Sequence, residues 1–146
     1  MCGRSGAGGD SSAQTQVFDD GEMRDEFDDP AGYLSYAPNG VVTAVLGSLN
    51  RPLFALDDPQ DGTAAEYHSA ARNMIAYAGR YTFDATSSTM THSIEVSLFP
   101  NWQGREQPRR VSLAGDRLTI LASPRTRIDG RRFHSELTWE RVPDQD

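Results

Sequence analysis

The stretch YLSYAPNGVVTAVLGS, residues 33–48, decides the fold class. Two β-rich runs, 33–37 and 41–48, flank Pro38-Asn39-Gly40. Asn-Gly between apolar runs is the strongest short-range hairpin signal, because both residues tolerate positive φ. In the second run Val41, Thr43 and Val45 share one face, and Val42, Ala44 and Leu46 the other. That period of two is the signature of a strand.

The same pattern continues toward the C-terminus. Residues 79–84 (GRYTFD) and 89–99 (TMTHSIEVSLF) flank a Ser/Thr turn, and Val111–Ala114 and Leu118–Ala122 flank Gly115-Asp116. Residues 132–141 (RFHSELTWER) alternate, with Phe133, Ser135, Leu137 and Trp139 on one face. One helix interrupts the strands. Thr63 and Glu66 have the spacing of a capping box, and Tyr67, Ala71, Met74 and Ala78 form one helical stripe ahead of Gly79. The spacing predicts a helix over about 63–78 with its apolar face on the barrel. Residues 49–62 read as a long irregular connection in which Leu53, Phe54 and Leu56 serve either as a lid or as surface anchors. Before the hairpin, residues 14–18 (QTQVF) read as a short strand, followed by an acidic stretch with only Met23 and Phe27 as apolar anchors.

The expected fold is therefore all-β: an up-and-down antiparallel β-barrel of 7–8 strands with one packed helix, since closure removes exposed edges. The expected division is a flexible Gly/Ser-rich leader over 1–18, a barrel domain over 19–142 and a short tail over 143–146. An interior of about eight strands has room for side chains or one small ligand.

Composition narrows the chemistry. The 146 residues suit one domain, and 37% hydrophobic with 24% charged residues marks a globular chain. All 14 basic residues are arginine, a usage typical of high-GC bacterial genomes, and the absence of lysine excludes Schiff-base and P-loop chemistry. A net charge of −7 argues against nucleic acid as a partner. No apolar run approaches a membrane span, and the first residues lack an apolar signal core, so the expected location is the cytoplasm. Cys2 alone forms no intrachain disulfide and is expected to be an exposed thiol. The Arg109-Arg110 and Arg131-Arg132 pairs read as solvated faces.

Three histidines are scattered without zinc-type spacing, so neither a metal nor another cofactor is expected. His92 shares a strand face with Ile94, Val96 and Leu98, which reads as the barrel interior. There it is either a hydrogen-bonded core group or a general acid/base. Tyr36 and Tyr81 are the other catalytic candidates, with Tyr33 and Tyr77 as ligand contacts; each is equally an ordinary core tyrosine. Asn101, Trp102, Arg105, Gln107 and Arg109 are expected on a long loop at the barrel mouth. Trp102 would stack on a ligand or plug one barrel end, Arg105 or Arg109 would hold a carboxylate or enolate, and Trp139, on its inward strand face, would contact the ligand.

The runs GYLSYAPNG (32–40), EYHSAARNMIAYAGRYTFD (66–84), THSIEVSLFPNWQGREQPRR (91–110), LAGDRLTI (113–120) and LTWERV (137–142) resemble the bacterial lipocalin-like domain family. The resemblance covers about residues 21–142 and implies a calycin-type barrel with a ligand cavity, without implying one activity. Such members usually begin with a Gly-x-Trp strand that this chain lacks. An open edge between first and last strands is therefore expected, available to a homodimer. Two functions follow. One is a cofactor-independent cyclase or isomerase acting on a polyketide-like natural-product intermediate. The alternative is a non-catalytic carrier of a largely apolar metabolite.

Overall fold

The Asn-Gly hairpin forms as its residues dictate. Gly40 takes φ +85°, its N–H donates to the Ala37 carbonyl, and the Ala37 N–H donates to Val41 O. From that turn Tyr36 faces Val42 and Leu34 faces Ala44. The computed structural model describes residues 14–143 in full and residues 2–6 by their backbone. Its elements are β1 (Cys2–Gly6), β2 (Gln14–Phe18), β3 (Met23–Asp25), β4 (Pro30–Tyr36), β5 (Val41–Ser48), α1 (Ala64–Arg72), β6 (Met74–Asp84), β7 (Thr89–Ser97), β8 (Glu106–Ala114), β9 (Arg117–Ala122), β10 (Arg125–Thr126) and β11 (Arg132–Arg141). A 3-10 turn, Pro100–Trp102, lies between β7 and β8.

Strands β4 through β9 pair in sequence order, antiparallel throughout, and β9 pairs with β11. The ring is completed by β1, which pairs with β4 along Cys2↔Ser35 and with the end of β11 at Gly3↔Arg141. The rest of that β11 edge is taken by β2, from Phe133↔Phe18 to Leu137↔Gln14, and β2 carries β3. The fold is thus the expected antiparallel lipocalin-like barrel. Two corrections concern its N-terminal part. Residues 2–6, expected in a flexible leader, form a strand because the β4 and β11 edges offer them backbone partners, while residues 14–18 form the short strand expected of them, on β11. The edge expected to be open for a homodimer is covered by β1 and β2. The side chain of Cys2, expected to be an exposed thiol, and the tail over 144–146 lie outside the described residues.

Inward-facing residues follow the period-two pattern: Leu34, Val42, Ala44, Leu46, Ile94, Ile120 and Trp139 are buried in one core. Strand β7 departs from it. Ala78 pairs with Val96 and Gly79 with Ile94, so Glu95 is an extra residue in a β-bulge. The bulge flips the parity beyond it. His92 and Ile94 point inward as expected, whereas Val96 is 60% exposed and Leu98 is also outside.

The helix is shorter than its stripe suggests. Thr63 and Glu66 form the capping box, Glu66 N–H to Thr63 Oγ1 at 3.2 Å and Thr63 N–H to Glu66 Oε1 at 2.8 Å. Yet α1 stops at Arg72, and Met74 and Ala78 lie in β6, where they pair with Gly47 and Thr43. Strand pairing to a buried neighbour outweighs helical propensity in this segment. No α1 residue is buried, so the helix does not bury the expected apolar face against the barrel. Tyr67 instead packs on Phe54 at 5.3 Å and donates to Pro59 O, which pins the 49–62 loop to the helix rather than over the barrel. Replacing Thr63 with Ala is expected to cost α1 about 1 kcal/mol. Hydrogen exchange at the Glu66 and Tyr67 amides would read this as faster exchange, with little change in barrel amides.

Alternating strand direction sorts the connections. The tight turns at 37–40, 85–88 and 115–116 gather at one end of the barrel. The long segments 49–73, 98–105 and 123–131 gather at the other. The long-segment end is where an opening forms.

Candidate ligand-binding site

A cavity of about 220 Å³ occupies the long-loop end of the barrel. Its wall is mostly apolar, with Leu34, Leu46, Ile75, Ile120, Leu137 and Trp139 contributed by strands from around the ring. Trp102, carried by the 3-10 turn, closes one side and meets Tyr77 edge-on at 6.0 Å. Pro100 at the start of that turn supplies the fixed φ that lets so short a segment place an indole over the opening.

The polar lining comes in two parts, one from β6, β7 and β8 and one from β2, β10 and β11. His92 is fully buried, and both its ring nitrogens are engaged. Tyr36 Oη lies 2.7 Å from Nε2 and Tyr77 Oη lies 2.8 Å from Nδ1. A neutral imidazole has one N–H, so one phenol accepts from the ring and the other donates to it. Burial lowers the His92 pKa to about 3, and the nearby Arg109 guanidinium pushes the same way. At neutral pH the ring is uncharged and carries no free nitrogen. Burial also pushes both phenols upward, opposed in each case by Arg109. The group is therefore a neutral hydrogen-bonded triad.

Arg109 reaches the cavity from the inward face of β8, beside Gln107, to whose Oε1 it donates. Arg125, from β10 at the rim, extends its guanidinium to Ser135 Oγ at 2.9 Å and lies over the Phe133 ring. Behind Ser135, the Glu26 carboxylate accepts from the Gln14 side-chain amide and from the Ser135 hydroxyl. Gln14 is 3% exposed and Ser135 1% exposed, so this is a buried polar corner in an apolar wall.

Four of the eight expected site residues line the cavity: His92, Tyr77, Trp102 and Trp139. Tyr36 lies one layer further in, joined to the cavity through His92. Tyr81 does not reach it: its hydroxyl donates to Ala37 O at 2.8 Å and its ring stands edge-on to Tyr36. Tyr33 is 55% exposed on the outer face of β4. Arg105 is exposed, its carbonyl accepting from Ile94 N–H at the bulge. Gln107 and Arg109 are corrected from loop to strand, and Arg109 from a solvated face to the interior. Their alternation with Val111 (residues 107, 109, 111) was the available signal. Gln14, Glu26 and Arg125 had none, because only the closing of β2 and β10 onto β11 brings them to the opening.

Fold and site together define an antiparallel β-barrel with a mostly apolar cavity at one end. A lipocalin-like domain model matches residues 21–142, and the chain belongs to that family. A curated relative from Aspergillus oryzae, described as a 4'-hydroxy-3'-methoxypropiophenone carrier protein, is 36% identical over 88 residues, covering 56% of this chain and 79% of the relative.

Proposed function

We propose that this protein is a non-catalytic binding or carrier protein for a small, largely apolar aromatic molecule bearing oxygen substituents. The observation that carries the reading is the cavity itself. Its wall is apolar, and the titratable group deepest in it, His92, has both nitrogens held by phenols. Such a site can bind and orient a ligand, but its imidazole has no nitrogen left for proton transfer. About 220 Å³ is below the roughly 300–1,000 Å³ of drug-sized pockets, which points to a single-ring ligand. The A. oryzae relative, named for carrying a hydroxyaryl ketone, supports the same class.

The cyclase or isomerase reading keeps one supporting observation: Tyr77 and Arg109 both present polar groups to the cavity. One experiment separates the two. Trp102 and Trp139 line the cavity, so their emission reports its occupancy. Titration with 4'-hydroxy-3'-methoxypropiophenone is expected to give a saturable fluorescence change, with the ketone recovered unchanged by chromatography after prolonged incubation. Conversion of the ketone would support catalysis, and the absence of a saturable change would overturn the carrier reading for this ligand class.

A further inference from the structure

Resting on the carrier reading, we infer that the cavity takes its ligand in ionised form, with Arg109 holding a deprotonated phenol or enol oxygen beside the Tyr77 hydroxyl. The geometry gives three reasons.

First, Arg109 is an inward-facing cation whose Nε is fully buried and makes no hydrogen bond among the described residues. Its side-chain hydrogen-bond partners are neutral, the Gln107 amide and the Tyr77 hydroxyl, and it forms no ion pair with any described carboxylate. A guanidinium half out of water without an anion is costly, and a ligand oxyanion would offset that cost.

Second, the neighbouring charges do not supply the missing anion. On the β10 side stands Arg125, a second cation, near enough for the two guanidinium groups to act on each other. Glu26 faces Arg125 and is bonded to Gln14 and Ser135. Glu106, also on β8, has the opposite strand parity from Arg109 and is exposed at the rim. From β6 and β7 the facing groups are Tyr77 and His92, both neutral.

Third, the apolar wall strengthens the pairing. Burial alone favours the neutral phenol, but in low dielectric a charge-assisted bond to Arg109 is worth more than in water, so an acidic hydroxyl that reaches the guanidinium gains by losing its proton to solvent through the mouth. A phenol para to a carbonyl, or an enol, is acidic enough for the change to fall near neutral pH. An aliphatic alcohol is not.

The probe is 4'-hydroxy-3'-methoxypropiophenone, whose phenolate absorbs at longer wavelength than its phenol. Its 4'-O-methyl ether is the non-ionisable control. On the full chain, the bound ketone is expected to show the phenolate band at a pH where the free ketone is mostly phenol. Its pKa should fall by at least about one unit on binding, so the phenolate binds at least about tenfold tighter than the neutral phenol, and the ether, which cannot ionise, binds less tightly than the ketone. Arg109→Gln is expected to return the bound spectrum to the phenol form. Arg125→Gln, removing the cation that Glu26 already faces, is expected to do so less. A bound ketone with phenol absorption, or equal affinity for the ether, would overturn this inference and leave the carrier reading standing. If neither compound binds, the carrier reading fails and this inference with it. The wild-type spectrum decides the matter even if a variant does not fold.

Discussion

Replacement of His92 by Ala is expected to lower folding stability by about 3–5 kcal/mol, one of the two largest single-site effects predicted for this barrel. Two terms add. The substitution removes most of a fully buried ring from the core, which leaves a cavity. It also deletes the hydrogen bonds to Tyr36 and Tyr77, and a buried hydroxyl deprived of a partner costs about 1–3 kcal/mol. His92 further makes the native protein acid-sensitive in a defined window. Its pKa is lowered from 6.5 in the unfolded chain to about 3 in the folded one. Below 6.5 the unfolded state therefore binds a proton that the folded state refuses, and stability falls as pH falls toward 3. Between about pH 7 and about pH 5 this amounts to about 2 kcal/mol. Urea unfolding at the two pH values should show that loss in the wild type and its removal in His92→Gln. Equal slopes in both proteins would mean that the imidazole is not held neutral by its surroundings.

The second large effect is expected at Gly79. A Cβ built there lies 2.1 Å from Ser93 O and 3.0 Å from Glu95 N, both backbone atoms of β7 at the bulge. Backbone in a paired strand cannot retreat as a flexible side chain can, so Gly79→Ala must force β6 and β7 apart or erase the bulge. Overpacking costs typically about 1–3 kcal/mol, and more where backbone must move; about 3 kcal/mol or more is expected here. Gly115 is the control. It has φ +61° and nothing within 4 Å of its built Cβ, so Gly115→Ala pays only left-handed strain of about 1–2 kcal/mol. Thermal melts of the two variants should separate the terms. A Gly79→Ala protein as stable as Gly115→Ala would show that β7 tolerates rearrangement. The bulge also sets the site, since without it the residues beyond Ile94 would keep inward parity.

Much of the barrel was legible because its signals are local. Asn39-Gly40 and Gly115-Asp116 mark hairpins through backbone conformations that glycine alone adopts cheaply. Alternation along 41–48 and 132–141 sorts inward from outward residues, and the Thr63/Glu66 capping box starts a helix at its stated residue. His92 and Trp139 are legible in the same way, from inward strand parity, and Trp102 from its place just after a turn-forming proline, whereas Tyr77 stands out only as a tyrosine, in a segment expected to be helical. The helix end at Arg72 was not legible. Residues 74–78 carry a helical stripe and a strand pattern at once, and only the presence of β5 beside them selects the strand. Tyr81 and Tyr33 show the complementary limit: a tyrosine on a strand does not announce whether its hydroxyl meets a ligand, a carbonyl or solvent.

By itself, then, the sequence determined the all-β barrel, its main hairpins and the neutral aromatic lining, since each rests on period, turn chemistry or composition within about ten residues. Tertiary structure alone decided how the ring closes, because β1 and β2 are too short and polar to signal their partners on β4 and β11. It alone decided the charge inside the opening, where Arg109 and Arg125 meet from β8 and β10 while Gln14 and Glu26 arrive from the other end of the chain. Side chains more than 100 residues apart share one cavity only because backbone pairing brings their strands together, and no local pattern records that meeting.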